Sequence, residues 1–292
     1  MSFTPRYSYT AISSRPAATW PGGRRLAVYL ALNVEQYSYG EGLVEDLVPG
    51  MPQPDVLNTS WRDYGTRVGA WRLLDLFRET ATPATILLNS RVCDAAPDLV
   101  ARMVADGHEI AAHGRSNSES LADCSAEEEA VVIAEVTARI AEASGQRPQG
   151  WLSPWLAETR ITPDLLQEDG YRYLLDFCCD DQPIWLTTRS GRLLALPYSQ
   201  EINDSTAIIG RQASAAEFAD MAIDQIDEML DQPGPAPLVF GLALHGNIIG
   251  QPFRIRQLRR VLTHLHGLRD RVWVAPAADI AAAVHADPDK FV

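Results

Sequence analysis

The stretch RRLAVYLALN, residues 24–33, is the part of the chain that decides the fold class. It is an almost continuous apolar run of strand length, and such runs are typical of strands buried on both faces, as in parallel sheets. The turn signal WPGG precedes it at residues 20–23, and the polar residues Asn33 and Glu35 stand at its end. We therefore expect a buried parallel strand over residues 24–33.

Strand-like apolar runs and helical patterns alternate along the rest of the chain. The predicted strands are ATILLN at 84–89, HEIAA at 108–112, the start of GWLSPW at 150–155, YRYLLDF at 171–177, LLALPY at 193–198, LVFGLALH at 238–245 and RVWVA at 271–275. The predicted helices cover 69–77, 95–106, 125–145, 162–169, 214–231, 254–268 and 277–285. Because no linker rich in Gly, Ser or Pro divides the chain into two halves, this alternation predicts one α/β barrel-like domain over residues 21–292, preceded by a polar N-terminal arm over residues 1–20.

The connection from residue 36 to about residue 60 is predicted to be a long loop, because glycines and prolines are frequent in it. A loop of this length inside a compact domain is usually functional rather than idle. We expect it to contribute to function.

Composition and charge limit the classes of function. The chain has 292 residues, 46% of them hydrophobic, which is an ordinary globular composition with enough apolar mass for a large core. A net charge of −13 disfavours a nucleic-acid partner, because an acidic surface repels phosphate backbones. No G-x-S-x-G elbow, H-E-x-x-H pair, phosphate loop or dinucleotide glycine fingerprint appears, which disfavours a serine hydrolase, a zincin and a nicotinamide enzyme.

The sequence also bears on location. No run approaches the ~18–20 apolar residues of a membrane span, and the first residues lack the apolar stretch of a signal peptide. The four cysteines show no C-x-x-C spacing, which favours buried free thiols in a reducing compartment. We expect a soluble cytoplasmic protein with no membrane partner.

Polar side chains occupy the carboxyl ends of several predicted strands, where chemistry sits in folds of this kind. They are Asn33, Glu35, His113, Ser153, Trp155 and His245. A carboxylate at the position of Glu35 is partly desolvated, which raises its pKa and suits it to proton transfer. Imidazole takes and gives protons near neutral pH, so His245 is a candidate for acid–base chemistry.

Each of these residues also has a structural interpretation. Glu35 is equally consistent with a solvated residue that opens a loop, and His113 and His245 with hydrogen-bonded core histidines. A second ligand four residues after His113 would favour a metal site, but Asn117 occupies that position and is a poor metal ligand. The remaining histidines are interpreted as surface or structural residues: His108, His264, His266 and His285.

The segments ALNVEQ, HGRSN, GWLSPW and LALHGN occur in this order, and they resemble the catalytic motifs of the polysaccharide deacetylase (NodB-like) superfamily. WPGGRRLAVYLALNVEQ, DYGTRVGAWRLLDLF and HGNIIGQPFRIRQLRRVLTHL look most like the branch that contains metal-independent allantoinase and the cyclic imide hydrolases. The resemblance extends from residue 20 to residue 285. It implies a distorted (β/α)7 barrel with its motifs at strand ends, and a homo-oligomer.

The same resemblance implies which positions a metal would use. Metal-dependent deacetylases carry an aspartate base, an aspartate ligand and two histidines four residues apart. The matching residues here are Asn33, Glu35, His113 and Asn117. A zinc site needs three strong donors and a water, so Glu35, His113 and Asn117 make a weak set. We expect no metal, with zinc on these three residues as the alternative.

The leading hypothesis is metal-independent hydrolysis of the ring C–N bond of a small cyclic amide or imide, such as an allantoin-, hydantoin- or succinimide-like ring. Glu35 is the expected general base, His245 the acid or the donor to the oxyanion, and His113 the residue that orients water or substrate. Substrate contacts are expected from Asn33, Asn117, Ser153 and Trp155, with Trp151 as a further candidate for the pocket wall. A zinc-dependent deacetylase of an N-acetylated sugar and a non-catalytic binding protein on the same barrel are the alternatives.

Overall fold

The computed structural model of the protein describes residues 6–232, 234 and 236–291. Its strands are β1 Leu26–Val34, β2 Ala84–Leu88, β3 Glu109–Ala112, β4 Gly150–Trp151, β5 Tyr173–Leu174, β6 Ile184–Thr188, β7 Gly191–Ala195, β8 Leu238–His245 and β9 Val272–Val274. Its helices are α1 Val56–Tyr64, α2 Ala70–Glu79, α3 Val92–Ala95, α4 Pro97–Ala105, α5 Ala126–Ser144, α6 Thr162–Asp169, α7 Ala215–Asp231, α8 Pro252–Gly267, α9 Ala277–Ala286 and α10 Pro288–Phe291.

The strands form a curled, mainly parallel sheet of the half-barrel kind, with helices in the connections. The strand order is β6-β7-β5-β4-β3-β2-β1-β8, and β9 pairs with β1. Every pair is parallel except β6 with β7, which are antiparallel. The predicted α/β barrel-like fold is confirmed.

Strand β1 pairs with β2, β8 and β9 and is buried along its whole length. Leu30 and Leu32 pack on one face into a core shared with α2, α5 and α8, whereas Tyr29 and Ala31 pack on the other face, towards β5 and β7. This burial on both faces explains the continuous apolar run in the sequence, because alternate residues of a strand point to opposite faces. The register places Asn33 of β1 opposite His245 of β8.

Three details of the secondary structure differ from the prediction. Helix α1 begins at Val56, inside the predicted loop, because the carboxylate of Asp55 accepts the backbone N–H of Asn58 and caps the helix. The helix then continues through a π-helical segment, Gly65–Gly69, into α2. Strand β6 was missed because its side chains are only partly buried, and the strand predicted over 171–177 shrinks to Tyr173–Leu174.

The thiols are less buried than the sequence suggested. All four cysteines are free; Cys93 is buried and Cys124 is half-buried, but Cys178 and Cys179 are exposed. The prediction of buried thiols was therefore wrong for this adjacent pair, which lies in the loop between β5 and β6.

The described part of the N-terminal arm is attached to the body of the fold. Arg6 forms an ion pair of 2.6 Å with Asp164, and Arg15 one of 2.5 Å with Asp180. The indole of Trp20 is buried, and its N–H donates a hydrogen bond to the carbonyl of Leu238. No helix within the described ranges combines the length and the apolar character that crossing a membrane requires.

Candidate active site

Three residues predicted from strand ends meet at the carboxyl edge of the sheet. Glu35 follows β1, His113 follows β3 and His245 ends β8. The Oε1 atom of Glu35 lies 3.5 Å from Nε2 of His113 and 3.6 Å from Nε2 of His245. The three come together because the carboxyl ends of parallel strands share one edge of the sheet.

The Glu35 carboxylate is buried, yet it is well supplied with hydrogen-bond donors. The hydroxyl of Tyr37 donates to Oε2 at 2.8 Å, and the amide of Asn117 donates to Oε1 at 2.6 Å. Burial alone raises the pKa of Glu35, but the charge of His245 and the interactions with His113 and Tyr37 outweigh it and hold the pKa below its ordinary value. The expectation of a raised pKa was therefore wrong, because neighbouring cations and donors stabilise the ionised form more than burial destabilises it.

His245 is held by a buried aspartate that the sequence analysis missed. Nδ1 of His245 lies 2.6 Å from Oδ1 of Asp204, whose other oxygen accepts the backbone N–H groups of His245 and Ile249. Burial lowers the pKa of His245, but Asp204 and Glu35 more than compensate and raise it to about 10. Nδ1 therefore carries a hydrogen towards Asp204, and Nε2 carries another towards Glu35. No motif in the sequence singles out Asp204, which stands 41 residues before His245.

His113 has its orientation set by a main-chain carbonyl. Its Nδ1 lies 2.8 Å from the oxygen of Leu152, and since a carbonyl only accepts, Nδ1 is the protonated nitrogen. Nε2 is thereby left to face Glu35. The side chain is almost completely buried, so this tautomer is maintained by the fold.

Asn33 and Asn117 supply neutral amide groups to the site. The amide nitrogen of Asn33 donates to the hydroxyl of Tyr198 at 3.1 Å and to the carbonyl of Leu244 at 3.2 Å. Asn117 donates to Glu35, and its own oxygen accepts from Asn89 at 3.2 Å. The arrangement turns the amide nitrogen of Asn117, not its oxygen, towards the centre of the site.

Of the residues predicted from GWLSPW, only Trp155 lines the cavity. Its indole N–H donates to the carbonyl of Asn117 at 2.8 Å, and its backbone has a φ of +63°. Ser153, which was predicted to contact substrate, does not line this cavity: it is buried, its hydroxyl accepts from the indole of Trp151 at 3.0 Å and its N–H donates to Asp176 at 2.7 Å. Trp151 likewise belongs to the core, packed edge-on against Tyr171.

These groups surround a cavity of about 220 Å³. Besides the predicted residues, it is lined by side chains that the sequence analysis missed: Tyr37, Glu45, Leu152, Leu156, Tyr198, Gln200, Asn203, Ser205 and Thr206. Tyr37 and Glu45 come from the long loop that was expected to be functional. The hydroxyl of Ser205 donates to the carboxylate of Glu45, and burial raises the pKa of that carboxyl.

The residues implied for zinc do not fit that ion. Asn117 turns its N–H towards Glu35 and its oxygen towards Asn89, so it presents no metal-binding atom to the centre of the site. The neighbouring His245 is protonated at neutral pH, so it could bind a metal only after losing its Nε2 proton. Among the residues that the structure describes, no group of three or more His, Cys, Asp or Glu side chains is arranged to hold a metal ion.

Comparison with known proteins places the chain in a family. The model of the polysaccharide deacetylase family matches residues 60–174, which include His113 and Asn117. A peptidoglycan deacetylase from Helicobacter pylori is 32% identical over 243 residues, covering 72% of this chain and 82% of that protein. The chain belongs to the polysaccharide deacetylase family.

Two solved structures share the whole fold of this chain. The crystal structure of PuuE allantoinase has a TM-score of 0.84 and 27% identity, and covers 98% of this chain and 100% of that one. A probable polysaccharide deacetylase from Pseudomonas aeruginosa PAO1 also has a TM-score of 0.84, with 29% identity. The match covers 95% of this chain and 96% of that one. The family, the fold and the likeness to the allantoinase branch that the motifs predicted are confirmed, and the chain is a member of a hydrolase family.

Proposed function

We propose that this protein hydrolyses the ring C–N bond of a small cyclic amide or imide without a metal. The observation that carries the proposal is the position of the Glu35 carboxylate, between the Nε2 atoms of His113 and His245 at 3.5 and 3.6 Å in a buried cavity. The likeness of this chain to a solved allantoinase over nearly the full length of both chains supports the same class of reaction.

The protonation states of the site suit hydrolysis. Glu35 is ionised at neutral pH and accepts a proton from a water that attacks the ring carbonyl carbon. His245 is protonated at neutral pH, so it donates to the developing oxyanion or transfers its Nε2 proton to the ring nitrogen as the C–N bond breaks. If His245 transfers its proton to the nitrogen, the proton on Glu35 then returns to His245; if His245 only donates a hydrogen bond to the oxyanion, Glu35 passes its proton to the ring nitrogen. Either course restores the site and leaves a ring-opened carboxylic acid and an N–H group.

The neutral amides suit a neutral ring. His113 orients the attacking water through Nε2, while Asn33 and Asn117 offer uncharged groups beside a carbonyl and a ring N–H. A cavity of about 220 Å³ is smaller than the ~300–1,000 Å³ of sites for drug-sized ligands, so a single small ring suits it better than a stretch of polymer. We also propose that the protein forms a homo-oligomer, as its resemblance to the family implies.

Deacetylation of an N-acetylated sugar is the second candidate, because the Helicobacter pylori relative is a peptidoglycan deacetylase. The two candidates differ in substrate and in metal requirement. A panel of cyclic amides, cyclic imides and N-acetyl sugars, run on enzyme stripped of metal and again with added zinc, separates them.

We expect turnover of at least one ring substrate by stripped enzyme, unchanged by zinc and abolished in Glu35→Gln. The exposed Glu41 of the same loop provides the matched control, and Glu41→Gln should retain full activity. Release of acetate only after zinc is added would establish the deacetylase instead. Binding of a ring without turnover would indicate the non-catalytic alternative.

A further inference from the structure

Arg62 is a buried arginine outside the cavity that contacts Tyr37, Glu45 and Asp46 of the long loop. We propose that Arg62, on α1, is a positioning residue that fixes Tyr37 and Glu45 of the long loop against the cavity. The kinetic part of its test rests on the proposed hydrolysis, but the spectroscopic part does not. Arg62 is 5% exposed, so its hydrogen bonds are shielded from water.

The first link from Arg62 runs to the backbone of the loop. Its Nη1 donates to the carbonyl of Glu45 at 2.8 Å and to the carboxylate of Asp46 at 3.0 Å. Its Nη2 donates to Thr59 on its own helix at 3.2 Å, which limits the freedom of the guanidinium. The main chain of Glu45 and the side chain of Asp46 are therefore tied to α1 by a charge-assisted pair of bonds.

That tie determines where the Glu45 side chain lies. Glu45 lines the cavity, and its carboxylate accepts a hydrogen bond from Ser205. Ser205 follows Asp204, the partner of His245. Loss of the bond between Arg62 and the Glu45 carbonyl would release one wall of the cavity next to this aspartate.

The second link runs through an aromatic ring. The guanidinium carbon of Arg62 lies 5.2 Å from the centre of the Tyr37 ring, within the range of a cation–π contact. The hydroxyl of that ring donates to Glu35 at 2.8 Å. Arg62 thus holds Tyr37 in the place from which it reaches the catalytic carboxylate, although Arg62 itself touches neither substrate nor Glu35.

Double-variant kinetics distinguish positioning from simple stabilisation. If Arg62 acts through Tyr37 and the loop, Arg62→Ala should lower kcat/KM by roughly tenfold, as displaced catalytic groups do. Much of that loss should already be present in Tyr37→Phe, so the double variant should lose less than the product of the two single effects. Arg67 is exposed in the π-helical segment that follows α1, and Arg67→Ala is the matched control, with unchanged kinetics.

Fluorine NMR tests the placement without any substrate. With 3-fluorotyrosine in place of tyrosine, the Tyr37 resonance is identified by its absence in Tyr37→Phe. We expect this resonance to move towards the position of a solvent-exposed tyrosine in Arg62→Ala, and hydrogen exchange at residues 36–50 to accelerate. Both should stay at wild-type values in Arg67→Ala.

An unmoved Tyr37 resonance with unchanged loop exchange would overturn the proposal, whatever the protein hydrolyses. Multiplicative losses in the double variant would also overturn it, because they would mean that Arg62 and Tyr37 act independently. If Arg62→Ala does not fold, Arg62→Lys decides the question. Lysine keeps the charge but not the two-pronged geometry, so a smaller shift of the Tyr37 resonance in the same direction is expected and no shift contradicts the proposal.

Discussion

The Nδ1 atom of His245 lies 2.6 Å from Oδ1 of Asp204, and the second oxygen of that aspartate binds the backbone N–H of the same histidine. Two bonds to one residue fix both the position and the tautomer of the imidazole. Asp204 also provides negative charge that keeps His245 protonated. His245, which the sequence analysis predicted to be the acid, is therefore one member of a buried pair with Asp204.

Asp204→Asn should lower kcat by roughly 10²-fold or more, the scale of general acid catalysis, with a smaller change in substrate binding. The amide preserves the shape of the side chain but removes the charge that raises the pKa of His245. The alkaline limb of the pH–rate profile should therefore move to lower pH. His245→Ala should cost a similar factor, and the double variant little more, because the pair acts as a unit. If the alkaline limb of the pH–rate profile lay at the same pH in the wild type and in Asp204→Asn, this role of Asp204 would be contradicted.

Glu35→Gln should abolish turnover while leaving the melting temperature close to that of the wild type. Because the pKa of Glu35 is held below its ordinary value, the wild-type enzyme should keep its activity down to pH values where a free carboxyl would already be partly protonated. Tyr37→Phe removes one donor to the ionised form, so its acid limb should lie at higher pH. The pH profile of kcat/KM, measured for the wild type and Tyr37→Phe, checks the position of the acid limb. Retained turnover in Glu35→Gln would exclude Glu35 as the base.

Gly69→Ala should impair the site through a backbone contact. A Cβ at residue 69 would overlap the carbonyl oxygen of Gly246, the residue after His245. The clash should cost about 1–3 kcal/mol of stability, more than the ~1 kcal/mol gained from alanine in a helix, and should lower kcat by displacing His245. Gly267, at the end of α8, is a matched control because nothing lies within 4 Å of the Cβ position there. Gly267→Ala should leave both kcat and the urea midpoint nearly unchanged, and an equally harmless Gly69→Ala would disprove the contact argument.

A buried carboxyl pair behind the site should make stability fall with rising pH. Burial, with each carboxyl near the other, raises the pKa of Glu158 to about 9, and burial raises that of Asp176 to about 6. Each folded-state pKa lies above the unfolded value, so the folded state binds protons that the unfolded state has released. The stabilisation is complete below the ordinary carboxyl range and is lost as pH rises through about 6 and then about 9.

Glu158→Gln should remove most of this dependence, because an amide needs no proton to remain neutral. Urea unfolding at a series of pH values from 5 to 9 measures the effect, with Glu41→Gln as the control of unchanged slope. The free energy of unfolding of Glu158→Gln should exceed that of the wild type at the alkaline end. Parallel curves for the two proteins would mean that Glu158 is not protonated in the folded state.

The sequence by itself determined the α/β fold and the main catalytic candidates. The apolar run at residues 24–33 indicated burial on both faces, which is typical of a covered, mainly parallel sheet. Since parallel strands end at one edge, the polar residues after them, Glu35, His113 and His245, had to be neighbours. Periodicity and strand ends are local properties, and local properties can be read along the chain.

Only the tertiary structure decided how those residues are charged and what surrounds them. Asp204 reaches His245 across 41 residues, and the amide of Asn117 is turned by Asn89, the residue after β2. Ser153 points into the core although its neighbour Trp155 lines the cavity, because the backbone turns sharply between them. The direction of a loop side chain and the pKa of a buried group depend on atoms brought close by folding from distant parts of the chain, and no local pattern encodes them.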